Sequence, residues 1–265
     1  MDNARVQAFE LCPPVQLRTL CGVLTDIDDT LTADGRIEPV ALVALQRLHD
    51  AGMPVIAITG RPAGWSRPFA LAWPVAAIVA ENGAVMLRSV DDRLRAYYVQ
   101  KPSVRTANAL RLRACVDAVL SAVPGAMRSV DSVGRETDIA IDHSEFAHLD
   151  AAQIDAVCAV MREHGLRATV SSIHINGWIG EHSKWTGARW AVETALHVPF
   201  NPQEWLYVGD STNDETMFER MPLSVGVANI ARFAPRMRHL PTYVTRSERG
   251  AGFAEVAAAL LAAQE

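Results

Sequence analysis

Lysine is nearly absent from this 265-residue chain: of 25 basic residues all but Lys101 and Lys184 are arginine. Cationic needs are met by planar forks almost everywhere, so a retained ammonium suggests a role for a compact point charge. Only four cysteines occur, at 12, 21, 115 and 158, without the close pairing of a metal site, and they read as reduced thiols of a cytoplasmic protein. No apolar run approaches the roughly 20 residues needed to span a bilayer. Met1 to Arg5 lead into Glu10 and Pro13-Pro14 before any apolar segment develops, so a secretory leader is not expected. Positive charge is also lacking overall: the formal net charge is -5, which argues against a nucleic-acid or anionic-membrane partner. With 49% hydrophobic and 21% charged residues, the composition is that of a globular protein of one large or two modest domains.

The chain is organised around Cys21 to Thr32. The apolar run Val23 to Thr25 has the length and character of a buried parallel strand and opens at once into Asp26, Asp28 and Asp29. Ligands of open α/β sheets bind beyond the carboxyl ends of such strands. Residues two apart in an extended chain share a face, which puts Asp26 and Asp28 toward one site. Two neighbouring carboxylates repel, and that repulsion raises a pKa or recruits a cation.

Further along, Pro39 to Asp50 carries apolar residues at the helical period, and Pro54 to Arg61 is a second buried strand ending in Thr59-Gly60-Arg61. Val75 to Ala80 is a third, followed by Glu81-Asn82-Gly83. Strand and helix alternate as in a doubly wound parallel sheet, the Rossmann-like α/β class. The rhythm then changes. Short strands at Val85 to Leu87 and Tyr97 to Val99, a long helix from Val104 to Val123, a strand from Thr137 to Ile141, a helix from Ala151 to His164, and strands at Arg167 to Ser171 and Ile173 to Trp178 suggest an inserted α+β cap. The doubly wound pattern resumes with a helix from Lys184 to Leu196, a strand running from Trp205 into Asp210, a strand at Leu223 to Val227, a helix near Ala231 to His239, a strand at Thr242 to Thr245 and a last helix. The expected organisation is an N-terminal extension over 1–20, a catalytic core over 21–84 and 181–265, and a cap over 85–180.

Polar groups thus stand at four strand ends or helix starts: Asp26 and Asp28, Thr59, Lys184, and Asp210 with Asn213 and Asp214. Each has a bland reading alone. Thr59-Gly60 suits a turn, Ser211 to Asn213 suit a helix cap, and a single lysine is usually a solvated charge. Together and in this order, Asp26-Ile27-Asp28-Asp29-Thr30, Thr59, Lys184 and Gly209-Asp210-Ser211-Thr212-Asn213-Asp214 resemble the four motifs of the haloacid dehalogenase superfamily, with a cap position similar to subclass IIB. That group includes sucrose-phosphate, trehalose-phosphate, mannosyl-phosphoglycerate and archaeal-type phosphoglycolate phosphatases, and phosphomannomutase. Asp29 departs from the pattern, standing where the family usually has glycine; it either disturbs the turn or adds negative charge.

The resemblance implies a Mg²⁺-dependent phosphomonoester hydrolase working through an aspartyl-phosphate. Asp26 is then the nucleophile and Asp28 the general acid and base. Asp26, Asp28 through its carbonyl and Asp210 are the implied Mg²⁺ ligands, with Asp214 ligating the ion directly or holding a coordinated water, while Thr59 and Lys184 hold phosphate oxygens. For substrate contacts the candidates are Gly60, Arg61, Asn82 and Asn213 in the core, and Arg135, Glu136, His174 and Asn176 in the cap. His174, Asn176 and Trp178 alternate along one strand face. The expected partner is a small phosphorylated sugar or organic acid, bound by a monomer or homodimer. A sugar phosphomutase is the main alternative. A phospho-receiver domain is disfavoured because Val75 to Ala80 ends in Glu81, not aspartate, and a silent sugar-binding protein because the motif set is complete.

Overall fold

The computed structural model describes residues 6–264. Residues 1–5, the start of the expected extension, lie outside the described residues. The remainder of the extension docks on the core: β1 (Gln7–Ala8) adds an edge strand, and α1 (Pro14–Arg18) packs against the last helix.

The chain continues through β2 (Gly22–Thr25), the small hairpin of β3 (Thr32–Ala33) and β4 (Arg36–Ile37), α2 (Pro39–Asp50), β5 (Val55–Ile58), α3 (Ala63–Ser66), α4 (Phe69–Ala72), β6 (Ala77–Ala80), β7 (Val85–Val90) and β8 (Arg93–Tyr98). Next come α5 (Pro102–Ala122), β9 (Met127–Arg128), β10 (Asp138–Asp142), α6 (Ala151–Glu163), β11 (Arg167–Val170) and β12 (His174–Trp178). The last part holds α7 (Lys184–Ala191), β13 (Trp205–Gly209), α8 (Glu215–Arg220), β14 (Ser224–Gly226), β15 (Tyr243–Val244) and α9 (Arg249–Gln264).

The main sheet has the strand order β1-β15-β14-β13-β2-β5-β6-β7-β8. Its neighbours are parallel from β1 to β6. Successive side chains go to opposite faces, so Val23 joins the core beneath α2 and α9 while Leu24 joins the one beneath α7 and α8. Both faces being covered, β2, β5, β6 and β13 are buried throughout and read as unbroken apolar runs.

Two expectations differ from the structure. The strands placed in the cap at 85–87 and 97–99 are β7 and β8, which extend the main sheet as an antiparallel hairpin from β6. Their inner side chains, Val85 and Leu87, bury against the main core, and the second sheet begins only after them. The helix expected near 231–239 is instead a pair of short 3₁₀ turns, Ala228–Arg232 and Ala234–Arg236; Pro235 lacks the amide proton that an α-helix needs there.

Between β8 and α7 the chain builds a separate antiparallel sheet, β11-β12-β10-β9, with α5 and α6 on one face around Cys115, Val119, Val157 and Met161. Its other face lies over the carboxyl edge of the main sheet. Glu81, buried and at φ 51°, joins the two layers: its carboxylate accepts from the amides of Ala63, Glu136 and Thr137 and from the Thr137 hydroxyl.

Where the chain returns to the core, Trp178 donates its indole N–H to the His182 carbonyl and packs beside that ring, 5.8 Å away. Burial holds the His182 imidazole down at about 4. An unfolded histidine takes its proton near pH 6.5, so below that value the unfolded chain binds more protons than the native one. Stability therefore falls as the pH drops from about 6.5 to about 4, by up to about 3 kcal/mol from this ring. His182→Leu is expected to lose less of its urea midpoint than the parent between about pH 7 and pH 4.5; equal losses would remove His182 as the source.

Candidate active site

Strands β13, β2 and β5 are adjacent and parallel, so the residues that follow them emerge side by side at one edge. These residues are Asp210, Asp26 and Thr59. The Asp26 amide still bonds to the Val208 carbonyl at 2.8 Å, which fixes the carboxylate just past the end of the sheet. Lys184 opens α7 beneath a Ser183–Thr186 capping box. Gly187 lets that helix come close, since a Cβ there would stand 2.6 Å from the Gly83 Cα. The Lys184 ammonium consequently reaches Asp26 Oδ1 at 2.5 Å, Asp214 Oδ1 at 2.6 Å and Asn213 Oδ1 at 3.2 Å.

A second glycine is equally constrained. A Cβ on Gly209 would sit 2.5 Å from Asp214 Oδ2, the oxygen that accepts from the amides of Asp210 and Ser211 at 2.8 and 3.0 Å. The other Asp214 oxygen takes the Tyr207 hydroxyl at 2.5 Å as well as Lys184. Asp214 is therefore saturated by four donors. Asp210 is not: Oδ2 receives only the Asn229 amide at 3.2 Å, and Oδ1 is buried with no partner.

Asp26, Asp210 and Asp214 each present an oxygen within 4.8 Å of the others. Burial, followed by the neighbouring carboxylates, pushes Asp210 well above the usual carboxylate range, and Asp26 rises in the same sense despite Lys184. Burial alone would lower the Lys184 ammonium, but Asp214 and Asp26 outweigh it and hold the group protonated. One ammonium thus faces three buried acids. The orphaned Asp210 oxygen and this surplus of negative charge fit a hard divalent cation.

Asp28 lines a small cavity together with Asp26. It accepts from Arg61 Nε at 2.8 Å and from the Thr59 hydroxyl at 3.3 Å. Arg61 also reaches Asp131 at 3.3 Å. From the second sheet, His174 and Asn176 close the cavity together with Ser171 and Ser172. The Asn176 amide donates to the Gly60 carbonyl at 3.2 Å, and burial holds His174 neutral, down at about 4.

Asp26, Asp28, Gly60, Arg61, His174, Asn176 and Asn213 all line this cavity. Thr59, Lys184, Asp210 and Asp214 reach it through the contacts above. Asn82 stands behind it, 3.4 Å from Asp138. Two expected substrate contacts face elsewhere. Arg135 is consumed by Asp138 at 2.9 Å, Asp131 at 3.2 Å and the Gly60 carbonyl at 2.9 Å, while Glu136 turns outward to Arg67 at 2.8 Å and Tyr98 at 2.7 Å. Asp29 keeps the turn that glycine usually makes: it adopts φ 54°, with its carboxylate 3.0 Å from Arg249 and its carbonyl 3.0 Å from Asn229. Sequence reasoning missed Glu81, Asp131, Asp138, Tyr207 and Asn229. For Tyr207 the signal was available, as a lone hydroxyl in a wholly buried strand.

Residues 23–110 match the family described as haloacid dehalogenase-like hydrolase. A phosphoglycolate phosphatase of Methanothrix thermoacetophila is 28% identical over 242 residues, covering 88% of this chain and 94% of the relative. Among solved structures, a Thermoplasma acidophilum protein superposes with a TM-score of 0.69 at 16% identity, over 91% of this chain and 98% of that one. The sucrose-phosphatase of Synechocystis sp. PCC6803, solved with sucrose and phosphate, gives 0.65 at 16% identity, over 92% and 98%. At that identity the structural likeness speaks for the fold. The order of the motifs and the sheet that gathers them agree with the matched segment: over residues 23–110 this chain is similar to the haloacid dehalogenase-like hydrolases.

Proposed function

We propose that the protein is a Mg²⁺-dependent phosphomonoesterase acting on a small phosphorylated sugar or organic acid. The observation that carries this reading is the meeting of Asp26, Lys184, Asp210 and Asp214 in one buried cluster, with Asp28 lining the same cavity as Asp26. Asp26 and Asp210, with the Asp28 carbonyl, are the proposed ligands of the ion. Asp214, spent on four donors, holds Lys184 and the Asp210 loop in position. When bound, the ion would supply positive charge that keeps Asp26 ionised and offsets the negative charge of the phosphate.

Asp26 then attacks phosphorus in line as the ester oxygen departs with the proton of Asp28, giving an aspartyl-phosphate and an alcohol. Asp28, now ionised, takes a proton from water as that water attacks the same phosphorus, restoring the Asp26 carboxylate and releasing phosphate. Lys184, the Thr59 hydroxyl and the Asn213 amide hold the equatorial oxygens. In this reading the sheet built over 127–178 is the cap that closes over the leaving group and excludes water.

Purified protein is expected to release phosphate from p-nitrophenyl phosphate with Mg²⁺ and to stop on addition of EDTA, recovering with excess Mg²⁺. Activity that survives EDTA would count against the metal, and an absence of hydrolysis across a panel of small phosphate esters would count against the whole reading. The phosphomutase alternative predicts an isomerised sugar phosphate in place of phosphate.

A further inference from the structure

The cavity above Asp26 and Asp28 encloses about 10 Å³, room for one water at most. Beside it lies another of about 380 Å³. The two share Asn213, and the larger one is also lined by Asn82 and Lys184 from the core. Its roof is the second sheet. In the strand register Thr169 pairs with Asn176 and Arg167 with Trp178, so these side chains occupy the face from which Asn176 reaches the Gly60 carbonyl.

The charge of this larger cavity is one-sided. None of its lining residues is a carboxylate, and Lys184, Arg162 and Arg167 all contribute to its wall. The small cavity is the reverse, since its cation Arg61 is consumed by Asp28 and Asp131. Arg167 is paired only with the exposed Glu181, and Arg162, exposed at the end of α6, takes part in none of the ion pairs among the described residues. The Thr169 hydroxyl, buried in the same wall, has no hydrogen-bond partner. A buried unpaired hydroxyl, one guanidinium without an ion pair and a second paired only with an exposed carboxylate complement an anion beside this cavity.

Resting on the phosphomonoesterase reading, we infer that this cavity receives the leaving group, and that the leaving group bears its own negative charge, a carboxylate or a second phosphate. Arg162 and Arg167 bind that charge and Thr169 donates a hydrogen bond to it. Neither arginine touches the phosphoryl group, so both determine specificity without entering the chemistry.

The test compares the parent with Arg162→Gln, Arg167→Gln and Thr169→Val on three Mg²⁺-supported substrates: phosphoglycolate, a hexose bisphosphate and p-nitrophenyl phosphate. Loss of one charge-assisted hydrogen bond is expected to raise KM about tenfold for an anionic leaving group, with kcat unchanged and p-nitrophenyl phosphate unaffected. Whether the carboxylate or the bisphosphate responds identifies the anion. Equal changes on all three substrates, or none on any, would overturn the assignment while leaving the phosphatase reading intact. Should the parent hydrolyse no ester, calorimetric titration of Asp26→Asn protein with phosphoglycolate and with the hexose bisphosphate still decides: Arg162→Gln weakening either supports the site, and unchanged affinity for both refutes it.

Discussion

Asp26→Asn is expected to abolish turnover, with kcat lower by about 10⁴-fold or more, while the protein stays folded. The amide keeps the shape of the carboxylate and can still accept from Lys184, so the 2.5 Å contact has a neutral successor. It cannot form the aspartyl-phosphate. Removing one of three carboxylates that share a 4.8 Å sphere also relieves repulsion, so the melting temperature is expected to hold or to rise in EDTA. The check is phosphate release beside a thermal melt followed by circular dichroism. Substantial remaining activity in a purified, folded variant would take the nucleophile role away from Asp26.

Replacing the cation on the other side of that contact should act on folding first. Lys184→Met keeps the length of the stem but removes the only ammonium held between Asp26 and Asp214, both buried. Breaking a buried ion pair by deleting one partner typically costs about 3–5 kcal/mol, which for a chain of this size lowers the melting temperature by about 10 °C. Because the orphaned acids can take up protons instead, the deficit should shrink at acid pH. On the proposed reading, Mg²⁺ held by Asp26 and Asp210 should restore part of it. Calorimetric melts with and without Mg²⁺, at acid and neutral pH, decide the matter; a variant as stable as its parent in EDTA would mean that Lys184 does not balance those acids.

Much of this site is legible in the chain because it is written in strand ends. An apolar run that stops in aspartate, as Val23 to Asp26 and Trp205 to Asp210 do, announces both the element and the edge at which its polar residue emerges, and parallel pairing brings such edges together. Lys184 stood out for a different reason, scarcity. What the chain concealed is the second layer of contacts. Arg135 and Glu136 looked like substrate contacts because side-chain chemistry says nothing of which partner wins: Arg135 found Asp131 and Asp138, and Glu136 found Arg67 and Tyr98. The hairpin of β7 and β8 was assigned to the wrong layer for a related reason. Short alternating strands have the same pattern in either sheet, and only the burial of Val85 and Leu87 against the main core decides. Glu81 shows the same limit: it reads as a turn residue, yet its carboxylate ties the two layers together through four donors.

The burial of Lys184 has a practical corollary for anyone who handles this molecule. An amine that is 2% exposed and held protonated by two carboxylates is no nucleophile toward acylating reagents, so Lys101 offers the single reactive ε-amine on the described surface. Lys101 immediately precedes α5, at the point where the polypeptide departs toward the second sheet. A dye or a resin attached there, with the terminal α-amine blocked, would sit at a defined position near the joint between the two layers.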